Sequence, residues 1–570
     1  MSAWLAANLA PIMFGSLLFF LLSGFPVAFG LASCGIVFGA IAVEMGLAPA
    51  VLFNALPLRL YGIMSNDVLL AIPFFTFMGL ILERSRMAED LLETIGQVFG
   101  PIRGGLAVAV IVVGAMLAAT TGVVAASVIS MGLISLPIMM RYGYNRPLAA
   151  GVITASGTLA QIIPPSLVLI IIADQLGKSV GDMYRASFIP AFMLVGLYVI
   201  VVMAIAVVRP KWVPALPPEA RTYREPTGLS GHRSLAVLTG LSALVGVLVY
   251  TQYPNIYKLL GLKTDFGIPT DEKVVMTLMS GILFAFGMAV LDKVAKTRLL
   301  SKLAQQVTFV LLPPLLLIFL VLGTIFLGVA TPTEGGAMGA AGALIMAVAR
   351  KRLSMSLLRQ ALDSSARLSI FVLFVLVGST IFSLTFQAID GPVWVEHLFA
   401  ALPGGQMGFI MFVNMMIFIL GFFIDFFEIA FILLPLLAPV AEKLGVDLIW
   451  FGVMIAMNLQ TSFLTPPFGF ALFYLRSVAA KEDYVDKVTG QNIAALKTAD
   501  IYKGAIFFVL LQVVMVLMIM FNPQIVLSAL GEQKALDVDS VNINTMIPEE
   551  KEEEEAPPAF LSGPKDDAKK

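Results

Sequence analysis

The chain has 570 residues, 59% of them hydrophobic and 13% charged, with a formal net charge of −1 and a mean hydropathy of +0.94. Soluble domains carry about 45–50% apolar and about 25% charged residues, so the apolar excess has no globular core to hide in and the solvent is a bilayer. The near-neutral charge removes a basic surface for nucleic acid, the single cysteine (Cys34) removes a disulfide framework or thiolate cluster, and His232 and His397 stand too far apart in sequence to suggest a metal site.

Met1 to Ala10 lacks the basic start and small-residue cleavage site of a signal peptide, so the first apolar run is expected to be retained. A crossing needs about 20 mostly apolar residues. Such runs lie near 8–22, 26–44 and 67–83, followed by an interrupted stretch at 104–140, a run with a central break at 146–176 and a run at 187–208. Residues 210–302 disturb this rhythm with a proline-rich opening (Pro210, Pro214, Pro217, Pro218, Pro226) and read as a linker with two spans of its own, near 235–252 and 274–291. Next come runs near 307–328, 333–349 and 368–386, an interrupted stretch at 407–440, a broken run at 450–475 and a last run at 504–521. The tail 523–570, with an acidic block from Glu550 to Glu555 interrupted by Lys551, reads as disordered and solvated. The expected fold is an all-α polytopic membrane protein with about twelve crossings. The stretches 104–140 and 407–440 are expected to be re-entrant hairpins, whose irregular backbone is tolerated where protein or a wet cavity satisfies it.

Lys and Arg in short loops mark the cytoplasmic side. Arg84, Arg86, Arg103, Arg141 and Arg146, then Arg209, Lys211, Arg221, Arg224 and Arg233, then Lys293, Lys296, Arg298 and Lys302, then Arg350, Lys351, Arg352, Arg359 and Arg367 share one side if neither hairpin crosses. Both termini are then extracytoplasmic.

The interrupted regions repeat. At a constant offset of 302 residues, Pro137 meets Pro439, Gly143 meets Gly445, Pro164 meets Pro466 and Pro165 meets Pro467. After a short insertion Asp182-Met183-Tyr184 faces Asp500-Ile501-Tyr502, and upstream Pro26 faces Pro332. The two halves are 1–209 and 303–522, and an odd number of crossings precedes the second, which therefore enters the membrane upside down. Inverted repeats with broken helices near the midplane are the architecture of secondary transporters.

Proline removes an amide donor and frees the carbonyl four residues back. In the first half the hairpin tip Thr120-Thr121-Gly122 and the break from Ser156-Gly157-Thr158 to Pro164-Pro165-Ser166 thus offer carbonyl and hydroxyl oxygens. In the second half the tip runs from Gly421 through Asp425 to Glu428, and the break carries Asn458, Gln460, Thr461, Thr465, Pro466 and Pro467. Hard oxygens suit Na⁺, and amides exposed at half-helix N-termini suit an anionic substrate group. The candidate cation ligands are accordingly Thr120, Thr121, Gly122, Ser156, Gly157, Thr158, Asp425, Asn458, Gln460, Thr461 and Thr465. The candidate substrate-side residues are Pro164, Pro165, Ser166, Pro466 and Pro467, with Thr331 and Glu334 at a further break. The competing local reading has the hydroxyls bonding their own helices, the prolines only kinking them, and Asp425 and Glu334 capping helix starts. Gly177-Lys178-Ser179 resembles the end of a phosphate-binding loop, but Ile172 stands where its first glycine belongs. With no catalytic triad or Asp-rich metal motif, neither enzyme chemistry nor a cofactor is expected, and Na⁺ is the expected coupling ion.

Leu70-Ala71-Ile72-Pro73-Phe74-Phe75 with Met78-Gly79, Thr121-Gly122, Tyr142-Gly143-Tyr144, Ile162-Ile163-Pro164-Pro165-Ser166, Ala330-Thr331-Pro332-Thr333-Glu334 and Thr465-Pro466-Pro467-Phe468-Gly469 form a set. Together they resemble the large, DctM-like membrane subunit of the tripartite ATP-independent periplasmic (TRAP) transporters. One departure is Thr121-Gly122-Val123, where that family usually has Ser-Gly-Ser. The resemblance implies a Na⁺-driven elevator of the ion-transporter superfamily kind, in which hairpins and broken helices slide against a scaffold of the remaining spans. It also implies a small four-helix DctQ-like membrane partner, an extracytoplasmic DctP-like solute-binding protein that delivers an organic acid, and a bacterial or archaeal cytoplasmic membrane. The alternative is a self-sufficient Na⁺-coupled divalent-anion symporter that needs no binding protein.

Overall fold

The computed structural model describes residues 2–220, 231–259, 270–296, 299–400, 403–486 and 488–530. Arg221, Arg224 and Arg298 of the charge pattern, and the acidic block of the tail, lie outside the described residues. The described chain is helical apart from its connections and one short ribbon.

In the first half Gly24 and Pro26 separate α1 (Leu9–Leu22) from α2 (Val27–Glu44). A segment bent by 48° then carries α3 (Leu56–Met64) and α4 (Ala71–Arg84). After α5 (Met87–Phe99), the first interrupted stretch is the pair α6 (Gly105–Thr121) and α7 (Val124–Arg141), and the first broken run is α8 (Arg146–Thr158) with α9 (Leu167–Gln175). Helix α10 (Val180–Val208) closes this half, and α11 (His232–Leu259) and α12 (Thr270–Ala295) occupy the linker. The second half follows a similar order, with one long α15 where the first half has the bent pair α3 and α4. It runs α13 (Lys302–Phe326), α14 (Pro332–Ala349), α15 (Met355–Ala388), α16 (Gly391–Ala400), the pair α17 (Gly405–Leu420) and α18 (Phe426–Lys443), and the broken run α19 (Leu448–Leu464) with α20 (Phe470–Val478). A ribbon of β1 (Tyr484–Val485) and β2 (Asn492–Ile493) leads into α21 (Thr498–Phe521).

Residues paired at offset 302 perform the same local task. Gly143 (φ 76°) and Gly445 (φ 72°) sit just beyond α7 and α18 in the left-handed conformation that glycine adopts without Cβ strain. Two residues on, the side chains of Asn145 and Asp447 accept from the amides of Leu148 (3.2 Å) and Trp450 (2.8 Å), and so start α8 and α19. The Pro164–Pro165 and Pro466–Pro467 peptide bonds are both cis.

The crossings differ from the expected twelve. Among the described residues eight helices are long and apolar enough to cross a bilayer, or nine if the bent segment is one span. Helix α1, at 14 residues, rises only about 21 Å at 1.5 Å per residue. The runs 146–176 and 450–475 are split by their proline breaks into shorter helices, and α14 dilutes its apolar residues with glycines and a polar start. Conversely, α7, expected as a hairpin arm, is by itself long enough to cross. Helix α5 is absent from the sequence reading because it is short and carries Glu89, Asp90 and Glu93. Its Met87, Leu91, Leu92 and Ile95 recur at helical spacing and are buried.

Contacts between the halves come in reciprocal pairs. Helix α8 packs on α21 and α19 on α10; α7 packs on α20 and α18 on α9; α2 packs on α15 and α14 on α4. Close backbone approach makes the contact of α2 with α15 possible. A Cβ on Gly35 would lie 2.7 Å from the Ile381 carbonyl oxygen, and one on Gly378 would lie 2.5 Å from that of Ala28. Small residues drive this kind of packing in lipid, where burial against hydrocarbon gives no advantage. The linker helices α11 and α12 pack on each other and on α13. At one end of the bundle Asp90 pairs with Arg350 (2.9 Å) and Arg352 (2.8 Å), tying α5 to the end of α14.

Candidate functional site

The first hairpin tip is held by backbone contact. Gly122, at φ 60°, ends α6, and a Cβ there would stand 3.2 Å from Leu167 Cγ and 3.7 Å from the Pro165 carbonyl oxygen. The tip therefore rests on the first break. From the opposite side α4 presses against it, since a Cβ on Gly79 would fall 2.5 Å from Thr121 Cα. Thr120 and Thr121 donate to the Leu117 carbonyl at 3.0 and 2.8 Å, and Thr121 also bonds Ser127 (2.9 Å), closing the hairpin on itself.

Within the break the Ser156 hydroxyl donates to Val152 O (2.5 Å), Thr158 to Ala155 O (2.9 Å) and Ser166 to Gln161 O (2.8 Å). Gly157 lies against Val128 of α7, and Gly114 of α6 lets Ser156 approach to 2.5 Å of where a Cβ would be. Tyr184 of α10 donates to the Ser166 carbonyl at 3.4 Å, so Pro164 and Pro165 are bracketed by polar partners on both flanks.

The second break is built from the same parts with more polar side chains. Gly421 at the tip of α17 abuts Ser462 of α19, and Phe423 of the tip packs on Phe468 beyond Pro466 and Pro467, with ring centroids 5.1 Å apart. Where Gly114 meets Ser156 in the first half, Asn414 meets Asn458 here: Asn458 Nδ2 donates to Asn414 O (2.6 Å) and Oδ1 (3.1 Å). Thr461 donates to Met457 O (3.0 Å), and Thr465 to Thr461 O (2.8 Å). Tyr502 of α21 donates to the Pro467 carbonyl at 3.3 Å. It thus does for the second break what Tyr184 does for the first.

Asp425 starts α18. Its carboxylate accepts from the Phe426 amide (2.7 Å), while Glu428 accepts from the Asp425 amide (3.2 Å), a capping box at the hairpin tip. Thr331 and Glu334 make the corresponding box at the start of α14: Glu334 accepts from the Thr331 amide (2.7 Å) and hydroxyl (3.0 Å). Both are exposed, and among the described residues no hydrogen bond joins them to either break. Beside them a cavity of about 340 Å³ opens between the ends of α9 and α13 and the start of α14, lined by Asp174, Lys178, Ile325, Ala330 and Pro332 among others. Asn66 donates to Asp174 across this region at 2.8 Å.

The structure therefore gathers Thr120, Thr121, Gly122 and the 156–166 break into one cluster. Asn458, Thr461, Thr465 and the 466–467 prolines form a second cluster beside the hairpin tip at Gly421, while Gln460 of the same helix lies beside Tyr198 of α10 instead. The hydroxyl protons are engaged by their own helices, which leaves oxygen lone pairs as the groups a cation can use. Four polar residues escaped the sequence reading as site candidates: Gln161, Tyr198, Asn414 and Gln512. All are buried, and neither amide atom of Gln161 has a hydrogen-bond partner. Asn414 and Gln512 had a legible signal, each being a lone amide inside an otherwise apolar run.

Outside the membrane-spanning helices, Arg141 at the end of α7 forms a fork with Asp486 of the ribbon loop at 2.9–3.1 Å. Those bonds, with the Thr489 hydroxyl and amide, hold the Asp486 carboxyl well below the usual carboxylate range.

A family profile described as "Tripartite ATP-independent periplasmic transporter, DctM component" matches residues 14–525. A C4-dicarboxylate TRAP transporter large permease protein DctM of Pseudomonas aeruginosa is 26% identical over 75% of this chain and 81% of its own length. An isethionate TRAP transporter permease protein DctMQ of Oleidesulfovibrio alaskensis is 24% identical over 85% of this chain and 63% of its own length. The solved Alcanivorax borkumensis YdaH transporter superposes with a TM-score of 0.46 at 12% identity, over 83% of this chain and 88% of that one.

Proposed function

The chain belongs to the DctM family of tripartite ATP-independent periplasmic transporter permeases, and on that premise we propose that it imports an organic acid anion by Na⁺ symport. It is a transport protein and not an enzyme. The observation that carries the reading is the pair of Pro-Pro helix breaks, each met by a hairpin tip and each flanked by a tyrosine that donates to a backbone carbonyl at or beside the prolines. Broken helices of this kind supply cation-coordinating oxygens and anion-facing amides in secondary transporters.

In this reading Thr120, Thr121, Gly122, Ser156, Gly157 and Thr158 contribute to one Na⁺ site, and Asp425, Asn458, Gln460, Thr461 and Thr465 to another. The substrate lies between the Pro164-Pro165-Ser166 and Pro466-Pro467 breaks. The matched offsets, the reciprocal contacts between halves and the similar order of helices support an inverted repeat of 1–209 and 303–522 around a 210–302 linker. Hairpins and broken helices then move as an elevator against the remaining spans, with the Arg and Lys loops cytoplasmic and both termini outside. The small DctQ-like subunit and the DctP-like binding protein complete the system in the cytoplasmic membrane. Relatives named for a dicarboxylate and for isethionate, a sulfonate, stand at nearly equal identity, which supports an organic anion as the substrate class without choosing one.

Reconstitution in proteoliposomes tests the proposal. Uptake of the acid is expected only with a Na⁺ gradient, the small subunit and the loaded binding protein together. Uptake that persists without any binding protein would favour the self-sufficient symporter, and uptake indifferent to Na⁺ would remove the coupling ion.

A further inference from the structure

A chain of buried, hydrogen-bonded polar side chains reaches from the first helix break to the flank of the second. Thr158 ends α8, and Gln460, which follows it by 302 residues, lies at the corresponding place in α19. Between them stand Tyr198 of α10 and Gln512 of α21, and all four residues have 0% exposure. Gln512 Nε2 donates to the Tyr198 hydroxyl at 2.8 Å and to the Thr158 hydroxyl at 3.3 Å. Thr158 gives its own proton to the Ala155 carbonyl and so receives from Gln512 as an acceptor. Tyr198 is also an acceptor for that amide, so its phenolic proton is not committed to Gln512, and beside it Gln460 is buried with neither amide atom hydrogen-bonded.

The placement is costly without a purpose. Gln512 interrupts the apolar run from Ala505 to Phe521, and an amide in such surroundings costs several kcal/mol unless its hydrogen bonds are made. A leucine would pack there with no such demand.

We infer that Gln512 and Tyr198 form a coupling brace, two positioning residues through which cation occupancy at the first break is registered at the second. The inference rests on the Na⁺ reading given above. One amide nitrogen holds both hydroxyls, so a cation that draws on the Thr158 oxygen competes with Gln512 for its lone pairs. The amide then turns, the tyrosine hydroxyl follows, and the orientation of Gln460 changes with it. Two sites joined in this way bind with an interaction energy that each feels equally.

The test is the Na⁺ activation curve of uptake, measured on the full chain with its small subunit and binding protein in proteoliposomes. Gln512→Leu and Tyr198→Phe are compared with wild type. The second variant keeps the ring, which packs edge-on against Phe508 at 5.2 Å, and carries the test alone if Gln512→Leu does not fold. Both are expected to lower the Hill coefficient toward about 1 and to shift half-saturation by about threefold or more, while uptake at saturating Na⁺ stays within about twofold. Curves of unchanged steepness and midpoint in both variants overturn the brace, as does a loss of maximal uptake with no change of curve shape. A wild-type curve that is hyperbolic also overturns it, because no coupling then exists to be carried. A wild type that ignores Na⁺ is a different failure and removes the cation reading itself.

Discussion

Around the first break, close approach is achieved with backbone and hydroxyl groups. Gly79 lets α4 touch Thr121, Gly114 lets α6 touch Ser156, and Thr120, Thr121 and Ser156 return their protons to their own helices. Around the second break the corresponding contact is an amide pair, Asn414 with Asn458, and two carboxylates cap the hairpin tip. Gly421 gives way to Ser462 there as well, so one backbone plan closes the first gap by removing volume and the second by adding hydrogen bonds to a similar close approach. The first break should be sensitive to added volume and the second to lost polarity.

The largest effect is expected from Gly79→Val. Its Cβ would sit 2.5 Å from Thr121 Cα and 2.9 Å from the Thr120 carbonyl oxygen, backbone atoms that cannot rotate away. Overpacking of this kind costs about 1–3 kcal/mol or more, and uptake in proteoliposomes should fall by about tenfold or more. Wild-type uptake in this variant would break the contrast at its strongest point.

Next in size is Asn458→Leu, which takes the Asn458 donor from the buried Asn414 oxygens and should destabilise the detergent-solubilised protein by about 1–3 kcal/mol, read as a lowered Tm. Ser156→Ala at the matching position removes only a bond within its own turn and should change Tm little. Equal shifts in the two variants would erase the proposed difference between the breaks.

Asp425 sharpens the comparison further. Asparagine caps helices about as well as aspartate, whereas alanine costs about 0.5–2 kcal/mol. Asp425→Asn should therefore keep the stability that Asp425→Ala loses, yet raise the Na⁺ concentration needed for half-maximal uptake. If Asp425→Asn leaves Na⁺ dependence unchanged, the carboxylate is a cap and no ligand.

The smallest effect concerns pH at the ribbon. Asp486 is held below its ordinary range by Arg141. The folded form thus binds its proton less readily than the unfolded form, and the contact is fully present above the unfolded value and lost as pH falls through the depressed one. Protease protection of the 484–493 ribbon should stay flat from about pH 7 down to about pH 4 and decline only below that. A decline between about pH 6 and about pH 5 would show that the Arg141–Asp486 fork does not control the ribbon.

Much of this architecture can be read from residues that act locally. Gly143 and Gly445 stop helices because of their φ angle, Asn145 and Asp447 start the next ones with their own side chains, and the two Pro-Pro pairs mark the breaks. None of this needs a distant partner. The number of crossings was less legible, because hydropathy registers apolar composition and not the bends and breaks that shorten α1, α8 and α19. Helix α5 was hidden for a different reason, its acidic residues masking the few apolar ones, which gain meaning only when α6 covers them.

By itself the sequence determined that the chain lives in a bilayer, that proline and glycine recur at one offset in two of its regions, and where the helices there break, since hydrophobicity, φ preference and a missing amide proton are properties of single residues. Only the tertiary structure decided which polar groups meet. Asn414 finds Asn458 over 44 residues, and Gln512 finds Thr158 over 354 and Tyr198 over 314. Such pairings are fixed by how helices cross, and in lipid that depends on close packing of glycine-rich surfaces rather than on any signal a single segment carries.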